Sequence, residues 1–156
     1  RAISTPYFPP IPAVSTDTQT RFLLGSLIPV SRGGALSSIM LVDDSATILL
    51  SVSSILSKAG YTVEKSANAE LALNKFNAGI KADLLITDLN MPGMNGIELI
   101  CEVRKLSGYK FMPILFLTTE SQQSRKVEAK AAGASGWIVK PATADDLLNT
   151  IKLVIK

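Results

Sequence analysis

The sequence predicts an α/β protein: a three-layer α/β/α sandwich on a five-stranded parallel sheet. Three observations carry that expectation. Five short strand-like runs, apolar almost throughout, alternate along the chain with five stretches of helical periodicity. The runs lack the in-out alternation of a sheet with one wet face, so helices are expected on both sides. Hydrophobic residues make up 47% of the chain and charged residues only 19%, a balance that supplies a core instead of a solvated coil.

The elements follow in order from residue 38. Ile39-Met40-Leu41-Val42 reads as the first strand and ends in Asp43-Asp44. Ile48, Leu49, Val52, Ile55 and Leu56 mark one face of a helix that Gly60 stops. Residues 61–66 read as a strand, and Asn68 is placed to cap a helix running to Ala78 and closed by Gly79. Leu84-Leu85-Ile86-Thr87 is the third strand, ending at Asp88, and a loop with Pro92, Gly93 and Gly96 follows. Ile97, Ile100, Val103 and Leu106 mark the third helix. Residues 113–117 form a strand that ends at Thr118-Thr119, and residues 121–132 a helix closed by Gly133. Trp137-Ile138-Val139 is the fifth strand, ending at Lys140-Pro141, and Leu147, Leu148, Ile151, Val154 and Ile155 line the last helix.

Residues 1–37 differ in kind. Pro6, Pro9, Pro10, Pro12 and Pro29 and the Ser/Thr-rich stretch 15–20 break every periodicity, so this segment is expected to be a disordered leader. Its first residue is Arg, which reads as a processed, truncated or artificially added terminus. A secretory signal built on Arg21 and the apolar stretch 22–30 would begin some twenty residues too late. Membrane contact through that stretch is equally weakly supported, and no apolar run reaches the ~20 residues of a transmembrane helix. Arg1, Arg21 and Arg32 against Asp17 account for most of the net charge of +3, which leaves the body near balance and without a nucleic-acid footprint. One cysteine, Cys101, excludes a disulfide framework, and the absence of histidine excludes Ser-His-Asp, Cys-His and zincin chemistry.

In a parallel sheet the strand C-termini share one edge, where ligands bind. Asp43, Asp44, Asp88, Thr118 and Lys140 therefore converge. Asp44 or Ser45 can cap the first helix, but capping does not explain two adjacent acids facing a third. Clustered carboxylates call for a divalent cation such as Mg2+. Asp88 reads either as a solvated loop acid or as a carboxylate nucleophile for a phosphoryl group. Thr118 is either a strand former or a hydrogen-bond donor, and Lys140 either a surface cation or a charge that neutralises the phosphoryl oxygens. Trp137, the single tryptophan, is a core residue or a rotating aromatic that reports the state of the site.

Four stretches carry a resemblance. Met40-Leu41-Val42-Asp43-Asp44-Ser45, residues 88–96 (DLNMPGMNG), Leu117-Thr118-Thr119-Glu120 and residues 132–141 (AGASGWIVKP) are similar in order and spacing to the receiver domain of two-component response regulators, and more narrowly to CheY-type single-domain chemotaxis regulators. That family is itself a standing example of the flavodoxin-like strand order 2-1-3-4-5, so the order is implied by the resemblance and not read from residues. The resemblance implies Asp88 as phosphoacceptor; Asp43, Asp44, Asp88 and the Asn90 backbone carbonyl as Mg2+ ligands; and Thr118 and Lys140 as phosphoryl contacts. It further implies Thr118 and Trp137 as the switch, Asn90 and Glu120 as the residues that tune dephosphorylation, and a cis Lys140–Pro141 peptide. Trp137 stands where the family usually has Tyr or Phe.

The implied partners are a sensor histidine kinase as phosphodonor and a protein target such as the flagellar motor switch, with a cytoplasmic location and a monomer or weak dimer. The implied protein catalyses its own phosphoryl transfer and dephosphorylation without being a conventional enzyme. After Lys140 the sequence offers one turn and one helix, so output is expected through protein contact. A stand-alone phosphorelay or developmental receiver would use the same site. A haloacid dehalogenase-type phosphatase would need a second acid two residues after its nucleophile, where this chain has Asn90.

Overall fold

The computed structural model describes residues 37–155; the leader expected over residues 1–37 lies, but for Ser37, outside them. The described chain alternates strand and helix: β1 (Ser38–Val42), α1 (Ala46–Lys58), β2 (Thr62–Ser66), α2 (Ala69–Asn77), β3 (Leu84–Thr87), α3 (Gly96–Arg104), β4 (Ile114–Thr118), α4 (Gln123–Ala132), β5 (Gly136–Val139) and α5 (Ala144–Val154). All strand pairs are parallel, in the order β2-β1-β3-β4-β5. Both the architecture and the strand order agree with the expectation.

Every residue of β3 and β4 is buried, and the reason is that the two faces of the sheet are both covered. Alternate residues of each strand point to opposite faces. Met40, Val42, Leu85 and Phe116 pack with Phe76 of α2, Leu99 of α3 and Ala129 of α4. Ile39, Leu41, Ile86 and Leu117 pack with Leu56 of α1 and Ile151 of α5. Each fully buried Leu, Ile or Phe contributes about 1.5–3 kcal/mol relative to exposure. The edge strand β2 is largely exposed, and its margin is occupied by charge: Lys75 Nζ donates to Glu64 Oε2 and to the Lys65 carbonyl, both at 2.7 Å.

Helix boundaries follow from short-range hydrogen bonds. Asn68 accepts from the Leu71 N–H at 2.8 Å, the cap its sequence position predicts. Asn95 and Glu98 form a reciprocal capping box at the start of α3, and Thr143 caps α5. Gly133, at φ 112°, ends α4 in the left-handed region. The third helix stops earlier than its apolar spacing suggests. Leu106 is extended, and a 3₁₀ turn over Ser107–Tyr109 leads to β4.

Arg104, the last residue of α3, holds this corner together. Its guanidinium donates to the carbonyls of Tyr109 (2.9 Å), Met112 (2.6 Å) and Gly133 (2.7 Å). Burial pushes its pKa down from the usual value. Arg104→Ala is expected to cost about 2–4 kcal/mol in urea unfolding, because three carbonyls lose a charged donor. Arg104→Lys should restore only part, since one ammonium cannot fork across all three. A loss below about 0.5 kcal/mol, the scale of an ordinary surface change, would show that the corner does not depend on this residue.

Candidate functional site

The side chains singled out from the sequence meet at the C-terminal edge of the sheet. The ladder extends one residue past each apolar strand, so the backbones of the functional residues are themselves held. The Asp43 N–H donates to the Ser66 carbonyl (3.2 Å), the Asp88 N–H to Val42 (3.0 Å) and the Lys140 N–H to Thr118 (2.8 Å). The Lys140–Pro141 peptide is cis.

Lys140 Nζ donates to Asp43 Oδ2 at 2.6 Å and to Asp88 Oδ2 at 3.3 Å. The other oxygens are bound by backbone: Asp43 Oδ1 accepts from the Ser45 N–H (2.9 Å) and Asp88 Oδ1 from the Leu89 N–H (2.7 Å). Asp43 is 2% exposed and Asp88 9%. Ser45, not Asp44, caps α1, with its hydroxyl accepting from the Ile48 N–H at 3.3 Å. Asp44 is exposed and takes no part in that cap. One carboxylate oxygen from each of Asp43, Asp44 and Asp88 lies within 4.8 Å of the others. Three acids against one ammonium leave the cluster negative, and an all-oxygen hard donor set fits a divalent cation such as Mg2+. Burial pushes the Asp43 carboxyl above its ordinary value and the nearby Asp88 adds to the rise, against the opposing pull of Lys140 and the Ser45 N–H.

Glu120 links the remaining groups. Its backbone N–H donates to Thr118 Oγ1 (3.2 Å), its carbonyl accepts the Trp137 indole N–H (3.0 Å), and its Oε1 accepts from Asn90 Nδ2 (3.3 Å). Thr118 is fully buried. With its oxygen accepting from Glu120, its own proton is left to donate. Trp137 is half-buried, leaning on Phe116 with ring centroids 5.2 Å apart, and Lys126 Nζ sits 6.0 Å from its ring centre. Trp137 thus packs against the core on one side while its indole N–H is tied to Glu120.

Gly96, the last residue of the DLNMPGMNG run, lies against the phosphoacceptor candidate. A Cβ there would meet the Asp88 carbonyl oxygen and stand 2.7 Å from Phe116 Cε1. The Gly96 N–H donates to the Leu89 carbonyl at 2.8 Å, closing the β3–α3 loop on itself. The DLNMPGMNG run contained the signal, but only packing shows why the last glycine is needed. A solvent-open hollow of about 520 Å³ lies at the opposite sheet edge, with no carboxylate in its lining.

A parallel five-stranded sheet with an acidic cluster, a hydroxyl and an ammonium at one edge defines a receiver domain. The response regulator receiver domain family matches residues 39–152, and the chain belongs to that family. It is a CheY-like receiver of two-component signalling. The chemotaxis protein CheY1 of Helicobacter pylori is 36% identical over 118 residues, 75% of this chain and 95% of the relative. CheY-3 of Vibrio cholerae is 38% identical over 119 residues, 76% of this chain and 91% of the relative. The solved structure of Vibrio cholerae chemotaxis protein CheY4 superposes with a TM-score of 0.74 at 45% identity, covering 78% of this chain and all of that one. Among the described residues no helix is long and apolar enough to cross a membrane.

Because Asp43 titrates above its ordinary value of 3.8 in the folded protein, the native state holds this proton more tightly than the unfolded chain does. Stability attributable to Asp43 therefore falls as pH rises through the range just above 3.8, and the cost persists at neutral pH. Asp43→Asn is expected to unfold about 1 kcal/mol later at neutral pH in the presence of a chelator. The gain should shrink as pH falls through the range above 3.8 and be absent below it. A variant less stable than wild type at neutral pH would contradict this balance.

Proposed function

We propose that this chain is a CheY-type response regulator that accepts a phosphoryl group on Asp88 from a phosphohistidine of a sensor histidine kinase. The observation that carries the reading is the position of Lys140 Nζ, within reach of both Asp43 and Asp88. An Asp88 oxygen attacks phosphorus, the P–N bond breaks, and the histidine nitrogen keeps the electron pair. Lys140 turns from the carboxylates to an equatorial phosphoryl oxygen, and the Thr118 hydroxyl donates to another. Asp43, Asp44, Asp88 and the Asn90 carbonyl would hold a Mg2+ ion, which would supply neutralisation of the remaining phosphoryl charge. Hydrolysis reverses the loading with water as nucleophile, releasing inorganic phosphate and the Asp88 carboxylate.

Asn90 and Glu120, joined over the site, set how readily that water approaches. As Thr118 is drawn to the phosphoryl group, the contact between its hydroxyl and the Glu120 N–H is strained, and Glu120 carries the Trp137 hydrogen bond with it. The ring then turns inward and the α4–β5–α5 face changes shape. That face meets a protein target, and the chemotaxis relatives favour the flagellar motor switch. In this reading residues 38–156 are the receiver, they work in the cytoplasm as a monomer or weak dimer, and residues 1–37 are an appended leader.

Incubation with acetyl phosphate and Mg2+ is expected to add one phosphoryl group by intact mass, with none on Asp88→Asn. Withdrawal of the donor should return the wild type to its unlabelled mass without any phosphatase. Turnover of excess phosphomonoester, or equal labelling of Asp88→Asn, would overturn the assignment.

A further inference from the structure

The loop that carries Asp88 and Asn90 is braced from outside by one exposed side chain. Glu70, in the first turn of α2, extends its Oε2 to accept the Met94 N–H at 2.9 Å. The bond joins residues 24 positions apart. That bond holds the Glu70 carboxyl below the usual carboxylate range. Gly93 makes room for it: its φ of +78° excludes ordinary side chains, and a Cβ there would lie 2.6 Å from the same Oε2. The rest of the loop is already anchored. Leu89 and Met91 are buried in the α2–α3 face of the core, and Asn95 is fixed by its capping box with Glu98. Residues 92–94 form the tip between those anchors, and Glu70 holds it.

We infer that Glu70 is a positioning residue for the phosphoacceptor loop, acting through Met94 to hold Asn90 and Asp88 in a cation-competent arrangement. This rests on the function proposed above. Neither Glu70 nor Gly93 touches the reacting atoms; their effect passes back along the loop backbone from Met94 to Asn90, the candidate ligand near the loop's start. Groups beyond the ligands themselves commonly shift metal affinity by about tenfold or more, and a brace one step further out should act at or below that level. Because Glu70 is exposed, its loss should loosen the loop without unfolding the domain.

The test compares wild type, Glu70→Ala, Glu70→Gln and Gly93→Ala by calorimetric titration with Mg2+ and by amide hydrogen exchange. Glu70→Ala is expected to speed exchange at the Met94 amide and weaken Mg2+ binding about three- to tenfold, with little change in thermal midpoint. Gly93→Ala should also weaken Mg2+ binding by displacing the carboxylate, with a lowered thermal midpoint from its left-handed backbone. Glu70→Gln keeps an acceptor oxygen and should stay within about twofold of wild type. Unchanged Mg2+ affinity in Glu70→Ala, or a Glu70→Gln as weak as Glu70→Ala, would overturn the inference. A wild type that binds no Mg2+ would instead overturn the functional reading beneath it, and the first titration alone reveals that.

Discussion

Charge imbalance at one edge of the sheet is the constraint on which the rest depends. Three carboxylates share a space that one ammonium only partly neutralises. Lys140 sits at 2.6 Å from Asp43 and 3.3 Å from Asp88, so it is a compromise between two acids and not a closed pair. Such an arrangement is costly in a protein without cargo and useful in one that receives a cation and a phosphoryl group. Burial of Asp43 records that cost in its raised pKa.

The fold imposes the imbalance by continuing its hydrogen-bond ladder past the apolar strands. Asp43, Asp88 and Lys140 each donate a backbone N–H into a neighbouring strand, so their main chains are held side by side while the side chains alone can turn. The loop after Asp88 is then closed by Gly96, capped by Asn95 and braced by Glu70. Glu120 ties this loop to Thr118 and Trp137 with three hydrogen bonds. A continuous set of hydrogen bonds thereby runs from the loop beside the carboxylates to a half-buried aromatic ring.

Much of this was legible from residues 38–156. Strands buried on both faces are continuous apolar runs, and their ends name the site directly: Val42 is followed by Asp43, Thr87 by Asp88, Val139 by Lys140. The family resemblance supplied the strand order, which periodicity alone does not contain. What stayed hidden depends on contacts between distant segments. Glu70 reads as an ordinary acid in the first turn of a helix, and nothing local shows that it reaches Met94. Arg104 reads as a cation near a helix C-terminus, and its three carbonyl partners come from two different connections. The early end of α3 is hidden because Leu106 continues the apolar spacing while its backbone has already left the helix.

The central claim is that Lys140 and the three acids are the resting state of a phosphoryl-binding site. A crystal structure grown with Mg2+ and beryllofluoride, a mimic of the aspartyl phosphate, tests it most directly. The account predicts beryllofluoride on an Asp88 oxygen, a cation among Asp43, Asp44 and Asp88, Lys140 Nζ moved onto a fluorine, and Trp137 turned inward. Mimic bound away from Asp88, or Asp88 modified while Lys140 stays paired with Asp43, would contradict it.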